Sequence, residues 1–138
     1  MPARDYYHEH VRSALIKDGW TITHDPFRLN WGGKDLYVNL GAQRLIGAEK
    51  DHRRIAVEVK SFLGPSEMAD LEKALGQFVL YRAILAERAP ERHLYLAVPQ
   101  PTLIDVFGQS FGELLLKNNL AQVVGFDPVK EEITQWLN

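Results

Sequence analysis

Over residues 54–62 the chain reads RIAVEVKSF, and the apolar Ile55, Val57 and Val59 alternate with Ala56, Glu58 and Lys60. Period two with β-branched residues on one side predicts a strand. Residues two apart on a strand share a face, which sets the Glu58 carboxylate beside the Lys60 ammonium and sends the branched side chains the other way.

The remaining pattern places elements around this strand. Residues 5–18 put Tyr7, Val11, Ala14 and Leu15 at helical spacing and stop at Gly19, a first helix in which His8 and Glu9 read as solvated or capping groups. Residues 20–23 alternate as a strand, and His24-Asp25-Pro26 predicts a turn. After an extended stretch and Gly32-Gly33, residues 35–40 begin another strand with Asp35 at its mouth, and residues 44–50 read as a strand again. Short polar turns between successive strands predict an antiparallel meander, with residues 45–49 beside the opening strand and Glu49 opposite Arg54. Asp35 reaches that strand only if the sheet bends near Gly41.

Ser66 is a good N-cap for a long helix to about Glu87, with Glu67 and Asp70 complementing its dipole. Leu71, Ala74, Leu75, Phe78, Arg82 and Leu85 make one stripe, and Lys73, Gln77, Tyr81 and Ile84 a second row beside it. Residues 94–98 are almost wholly apolar and predict a strand buried on both faces. Residues 103–117 carry helical periodicity with Gly108 and Gly112 as weak points; residues 123–126 predict a further strand and residues 131–137 an edge strand. The expected class is α/β (α+β): helix, three-stranded antiparallel meander, helix, strand, then an additional helix and strand, a mixed central sheet flanked by helices. With no repeat or linker, one domain over residues 1–138 is expected.

Composition narrows the chemistry. There is no cysteine, so thiolate chemistry and cysteine metal sites are excluded, and a bound metal would be a hard cation on oxygen or imidazole ligands. No apolar run approaches a membrane span and the N-terminus lacks a signal peptide's apolar centre, so a cytoplasmic protein without a membrane partner is expected. The net charge of -2 gives no overall basic field. Residues 1–60 hold ten basic against eight acidic side chains and residues 61–138 six against ten, which leaves a small basic rim at Arg44, Lys50, Arg53, Arg54 and Lys60, joined by Lys73 and Arg82. Few phosphate contacts imply weak DNA binding by the isolated protein.

A carboxylate pair can hold Mg²⁺ (or Mn²⁺), and such an ion generates hydroxide and neutralises phosphodiester charge, while a lysine beside it orients or deprotonates the attacking water. Asp35 with Glu58-Val59-Lys60 resembles the paired motif of the PD-(D/E)XK nuclease superfamily. Gln77-Phe-Val-Leu-Tyr81 looks like the Q-x-x-x-Y helix motif of its RecB-type branch, whose side chains line the active site or approach DNA. The resemblance implies a restriction-endonuclease-like core, metal ligands Asp35 and Glu58, and catalytic roles for Asp35, Glu58, Lys60, Gln77 and Tyr81; an ordinary helix flank remains an equal reading of Gln77 and Tyr81 taken singly.

A closer resemblance rests on Met1-Pro-Ala-Arg-Asp5, His8, Ala14-Leu-Ile-Lys-Asp-Gly-Trp20-Thr-Ile-Thr23, Gly33-Lys-Asp-Leu-Tyr37, Ile55-Ala-Val-Glu-Val-Lys-Ser-Phe62, Ala74-Leu-Gly-Gln-Phe78 and Leu94-Tyr-Leu-Ala-Val-Pro99. Over essentially its whole length the chain is similar to the XisH family of cyanobacteria, the fdxN element excision controlling factor proteins. That implies excision of a DNA element alongside a site-specific recombinase and a second small protein, XisI, either as a metal-dependent endonuclease or as a non-catalytic accessory protein. One position departs from the pattern: the family resemblance calls for an aspartate where this chain has Asn39, and a carboxamide there weakens a cation site. A homodimer through the apolar C-terminal half is also expected.

Overall fold

The computed structural model describes residues 6–31, 34–35 and 45–137, with residues 30, 34 and 35 described by their backbone alone. Six strands form one mixed sheet, in the order β1 (Thr21–Phe27), β4 (Leu45–Lys50), β5 (Arg53–Val59), β6 (Arg92–Pro99), β7 (Val123–Asp127) and β8 (Glu132–Leu137). β1–β4, β4–β5 and β7–β8 run antiparallel, whereas β5–β6 and β6–β7 are parallel.

The alternation in β5 sorts the two faces. Ile55, Val57 and Val59 join Val11 and Leu15 of α1 (His8–Lys17) and Trp20 in one core, while Ala56 packs with Phe78 and Tyr81 of α2 (Glu67–Arg88) on the other. The β4–β5 turn uses Asp51 at φ 50° and His52 at φ 67°, two left-handed residues that match strand twist, and it sets Glu49 opposite Arg54 as its polar residues predict.

Two predictions about the first third need correction. The chain does not turn at His24-Asp25-Pro26: β1 runs through Pro26, with register shifts between Ile22 and His24 and between His24 and Phe27. β1 lies at the sheet edge, where an irregular ladder and a residue without an N–H are tolerated. The partner of β4 is β1 itself, because β2 (Asn30–Trp31) and β3 (Lys34–Asp35) form a separate two-stranded sheet in which Asn30 pairs with Asp35. Residues 36–40, Asn39 among them, and the expected bend near Gly41 lie outside the described residues.

β5 ends beside β6, where the Lys60 N–H donates to the Ala97 carbonyl at 2.9 Å. Phe62, at φ 56°, then turns the chain toward α2. Ser66 caps α2 as expected, its hydroxyl accepting from Ala69 N–H at 3.2 Å, and the Asp70 carboxylate accepts from Gly64 N–H at 3.0 Å. β6 sits between two parallel neighbours and is buried over Leu94 to Pro99, as its unbroken apolar run requires.

The single helix expected over residues 103–117 is broken. A short turn, α3 (Gln100–Thr102), leads into a π-helical stretch (Leu103–Phe107), and α4 (Ser110–Lys117) starts afresh after Gly108. A β-carbon at Gly112 would lie 2.3 Å from Phe107 Cα, so α4 folds back directly onto the π-helical backbone, an approach that only glycine permits. Phe111 and Leu114, expected in the apolar stripe, are left exposed by this break. β8 closes the sheet as the predicted edge strand, and Trp136 packs against Trp20 and Tyr95.

Candidate active site

The sheet face that α2 covers receives Glu58 from β5 and Lys60 from just beyond its end. Glu58 is 0% exposed, and Lys60 Nζ stands 3.4 Å from its Oε1. A carboxylate is rarely withdrawn this far from water without compensation, and the ammonium two residues along the strand supplies part of it. α2 brings Gln77 and Tyr81, one turn apart, to the same side, and both are buried. Burial, and then the Glu58 carboxylate, push the Tyr81 phenol above its ordinary pKa. Tyr81 therefore stays protonated across physiological pH and feels Glu58 electrostatically. Among the described residues, Gln77 Oε1 and the Tyr81 hydroxyl have no hydrogen-bond partner. Buried polar atoms normally do, which makes both free to accept or donate to a group brought beside them.

The structure thus brings together four of the five predicted site residues, Glu58, Lys60, Gln77 and Tyr81. Gln77, Tyr81 and Ile84 of the predicted second row are buried with Phe78, whereas Lys73 of that row is exposed. Asp35 is placed only by its backbone in β3, and its side chain lies outside the described residues, as do Asn39 and Arg44.

The predicted basic rim does not hold as one surface. Arg53 and Arg54 begin β5 and Lys60 follows its end, roughly 20 Å away at the rise of a strand, and Lys60 is buried. At the far end Arg54 lies 3.6 Å from Glu49 and 3.9 Å from Glu91, Lys50 lies 3.8 Å from Asp18, and Arg53 covers the Trp20 ring. Glu49 is held in that network and does not approach Glu58.

Sequence reasoning missed one cluster. His8, taken for a solvated or capping group, is 1% exposed, and its Nε2 lies 2.8 Å from Asp25 Oδ1, while Arg12 donates to Asp25 Oδ2 at 2.6 Å. Burial by itself would raise the Asp25 pKa, but Arg12 and His8 outweigh it and hold the carboxyl below its ordinary range. The signal was His8's place three residues before Val11, in line with the apolar stripe of α1. Glu9 is exposed as expected; together with His8 and Asp25 it offers ligand atoms within 4.8 Å of one another. Both Asp25 oxygens are already engaged, so the cluster fastens α1 to β1.

A family model described as XisH protein matches residues 1–134. The chain is 41% identical to a protein of known structure from Anabaena variabilis described as a fdxN element excision controlling factor protein; the match covers 96% of this chain and 98% of that one, with a TM-score of 0.85. It is 43% identical to an XisH family protein from Nostoc punctiforme PCC 73102, with 97% and 100% covered and a TM-score of 0.86. No curated protein matches the chain.

Proposed function

Because this chain belongs to the XisH family, we propose that it acts in the excision of a DNA element as a metal-dependent endonuclease-like protein that hydrolyses DNA phosphodiesters. The excision role is carried over from the Anabaena variabilis relative and its description. The catalytic reading, and with it placement in the PD-(D/E)XK superfamily, rests on one observation: Glu58 is fully buried with Lys60 Nζ at 3.4 Å and the neutral Tyr81 phenol beside it. Withdrawing a carboxylate from water is costly, and such groups concentrate where chemistry is done.

The donors present fit a hard divalent cation. They are oxygens, namely the Glu58 carboxylate and the unpartnered Gln77 Oε1, in a chain without cysteine. Glu58 together with Asp35 would hold Mg²⁺ or Mn²⁺, which when bound supplies an acidified water and neutralises phosphodiester charge. Lys60 orients the attacking water and balances charge on the pentacovalent phosphorus. Tyr81, kept protonated, donates to a phosphate oxygen, and the Gln77 amide fixes the orientation of what binds beneath α2.

A second reading is favoured by Asn39, a carboxamide where the family resemblance calls for a carboxylate: a non-catalytic accessory protein that keeps the fold to bind a site-specific recombinase or XisI-like partner. Incubation with plasmid and branched DNA in Mg²⁺ or Mn²⁺, beside Glu58→Ala, separates the two. Cleavage that Glu58→Ala abolishes supports the nuclease. Equal cleavage by both proteins means a contaminant, and no cleavage by either favours the accessory role.

A further inference from the structure

Far from the β4–β5 turn, the N-terminal turn of α2 and the π-helical stretch enclose an apolar groove. Its floor is Leu71 and Val106, and its walls are Met68 and Phe111, 49% and 44% exposed. Glu67 and Asp105 stand on its rim, and among the described residues neither has an ion-pair partner. The volume is about 140 Å³, the scale of cavity that accepts a benzene-sized group. One large apolar side chain fits.

The walls are fixed in advance. Ser66 and the Gly64–Asp70 bond hold the start of α2, and the close approach of Gly112 to Phe107 sets where Phe111 stands. A rigid groove loses little entropy on binding. Leu114, one turn after Phe111 on α4, is exposed as well.

We propose that this groove docks a short amphipathic helix of another protein, whose apolar anchor enters between Met68 and Phe111 and whose flanking lysines or arginines meet Glu67 and Asp105. The charge of the rim decides the occupant. DNA and anionic membrane surfaces are repelled by it. A second copy of this chain is disfavoured as well, since a two-fold contact through the patch would gather Glu67 and Asp105 of both copies at one interface, and no residue lining the groove is basic. An apolar and basic helix satisfies both the groove and the rim. The proposal does not depend on the nuclease reading, because no residue of the groove belongs to the Glu58 pocket.

The test uses a labelled synthetic leucine–lysine amphipathic peptide of about 14 residues, long enough to form a helix on binding, and its leucine–glutamate counterpart, followed by fluorescence anisotropy. The wild-type protein binds the lysine peptide at least about tenfold more tightly than the glutamate peptide. Phe111→Ser removes that binding, and Glu67→Lys with Asp105→Lys reverses the order. Glu87→Lys with Glu132→Lys makes the same change in net charge at exposed sites elsewhere and leaves the order as it was. The proposal is overturned if this second pair reverses the order too, if the two peptides bind alike, or if neither binds. Sedimentation showing a dimer that Phe111→Ser dissociates would overturn it in favour of a second copy.

Discussion

Lys60, just past the end of β5, sets its Nζ 3.4 Å from Glu58 Oε1, with side-chain exposures of 11% and 0%. Removing one partner of such a pair leaves the other charge in a poor solvent. Lys60→Met therefore costs about 3–5 kcal/mol at neutral pH, and Lys60→Met with Glu58→Gln recovers most of the loss. Urea unfolding of the two singles and the double measures the coupling, and simple additivity would remove the pair from the account of stability.

Divalent cation binding is expected to stabilise the folded protein. At a free Mg²⁺ or Mn²⁺ concentration one hundred times Kd the gain is about 2.7 kcal/mol, a rise in Tm on the order of 10 °C for a domain of this size. Asp35→Ala abolishes the rise. A mutant that responds like its parent would take Asp35 out of the ligand set and leave Glu58 to find another oxygen.

Asp25 predicts the acid limb of the stability curve. Burial raises its pKa, but Arg12 and His8 hold it below the ordinary 3.8. A carboxyl whose folded pKa is depressed contributes its full stability above the unfolded value and loses it as pH falls through the folded one. Asp25→Asn is accordingly less stable than the parent at neutral pH, and the gap closes below 3.8. Unfolding midpoints measured from neutral pH into that acid range check it; a gap independent of pH would mean the carboxylate's charge does not matter.

Two glycines should respond in opposite ways to alanine. Gly76 is exposed inside α2 with nothing within 4 Å of an added β-carbon, so Gly76→Ala stabilises by about 0.5–1 kcal/mol. Gly112→Ala meets the Phe107 backbone at 2.3 Å and costs at least about 1–3 kcal/mol. Thermal unfolding of both variants tests whether α4 is held against the π-helical stretch.

What could be read in advance followed the strength of local periodicity. The faces of β5, the cap and inward rows of α2, the buried β6 and the edge strand β8 each carry a repeat or a capping residue that allows few alternatives. The extent of β1 is not legible locally, because a proline is a turn signal along the chain, whereas its tolerance at an edge is decided by the sheet around it. The break at Gly108 was visible only as a weak point, since the contact that enforces it runs from Gly112 to Phe107. The Glu58–Lys60 pairing followed from strand geometry alone, but the burial that gives it significance comes from α2 lying over it. His8 and Asp25 are 17 positions apart, and no local pattern joins them.

Glu58, Lys60, Gln77 and Tyr81 sit at the end of a strand, just past it, and on the helix that follows, within positions 58–81. The pocket is thus almost a portable cassette: one uninterrupted segment carries the carboxylate, the ammonium, the amide and the phenol, with the Ser66-capped turn that sets their spacing. Loop-closure entropy grows only slowly with length, and here the loop is short. Grafting that segment between relatives of this fold would transfer four polar groups together while leaving the choice at position 35 or 39 to the host, so the donor's pocket and the recipient's metal affinity can be inherited separately.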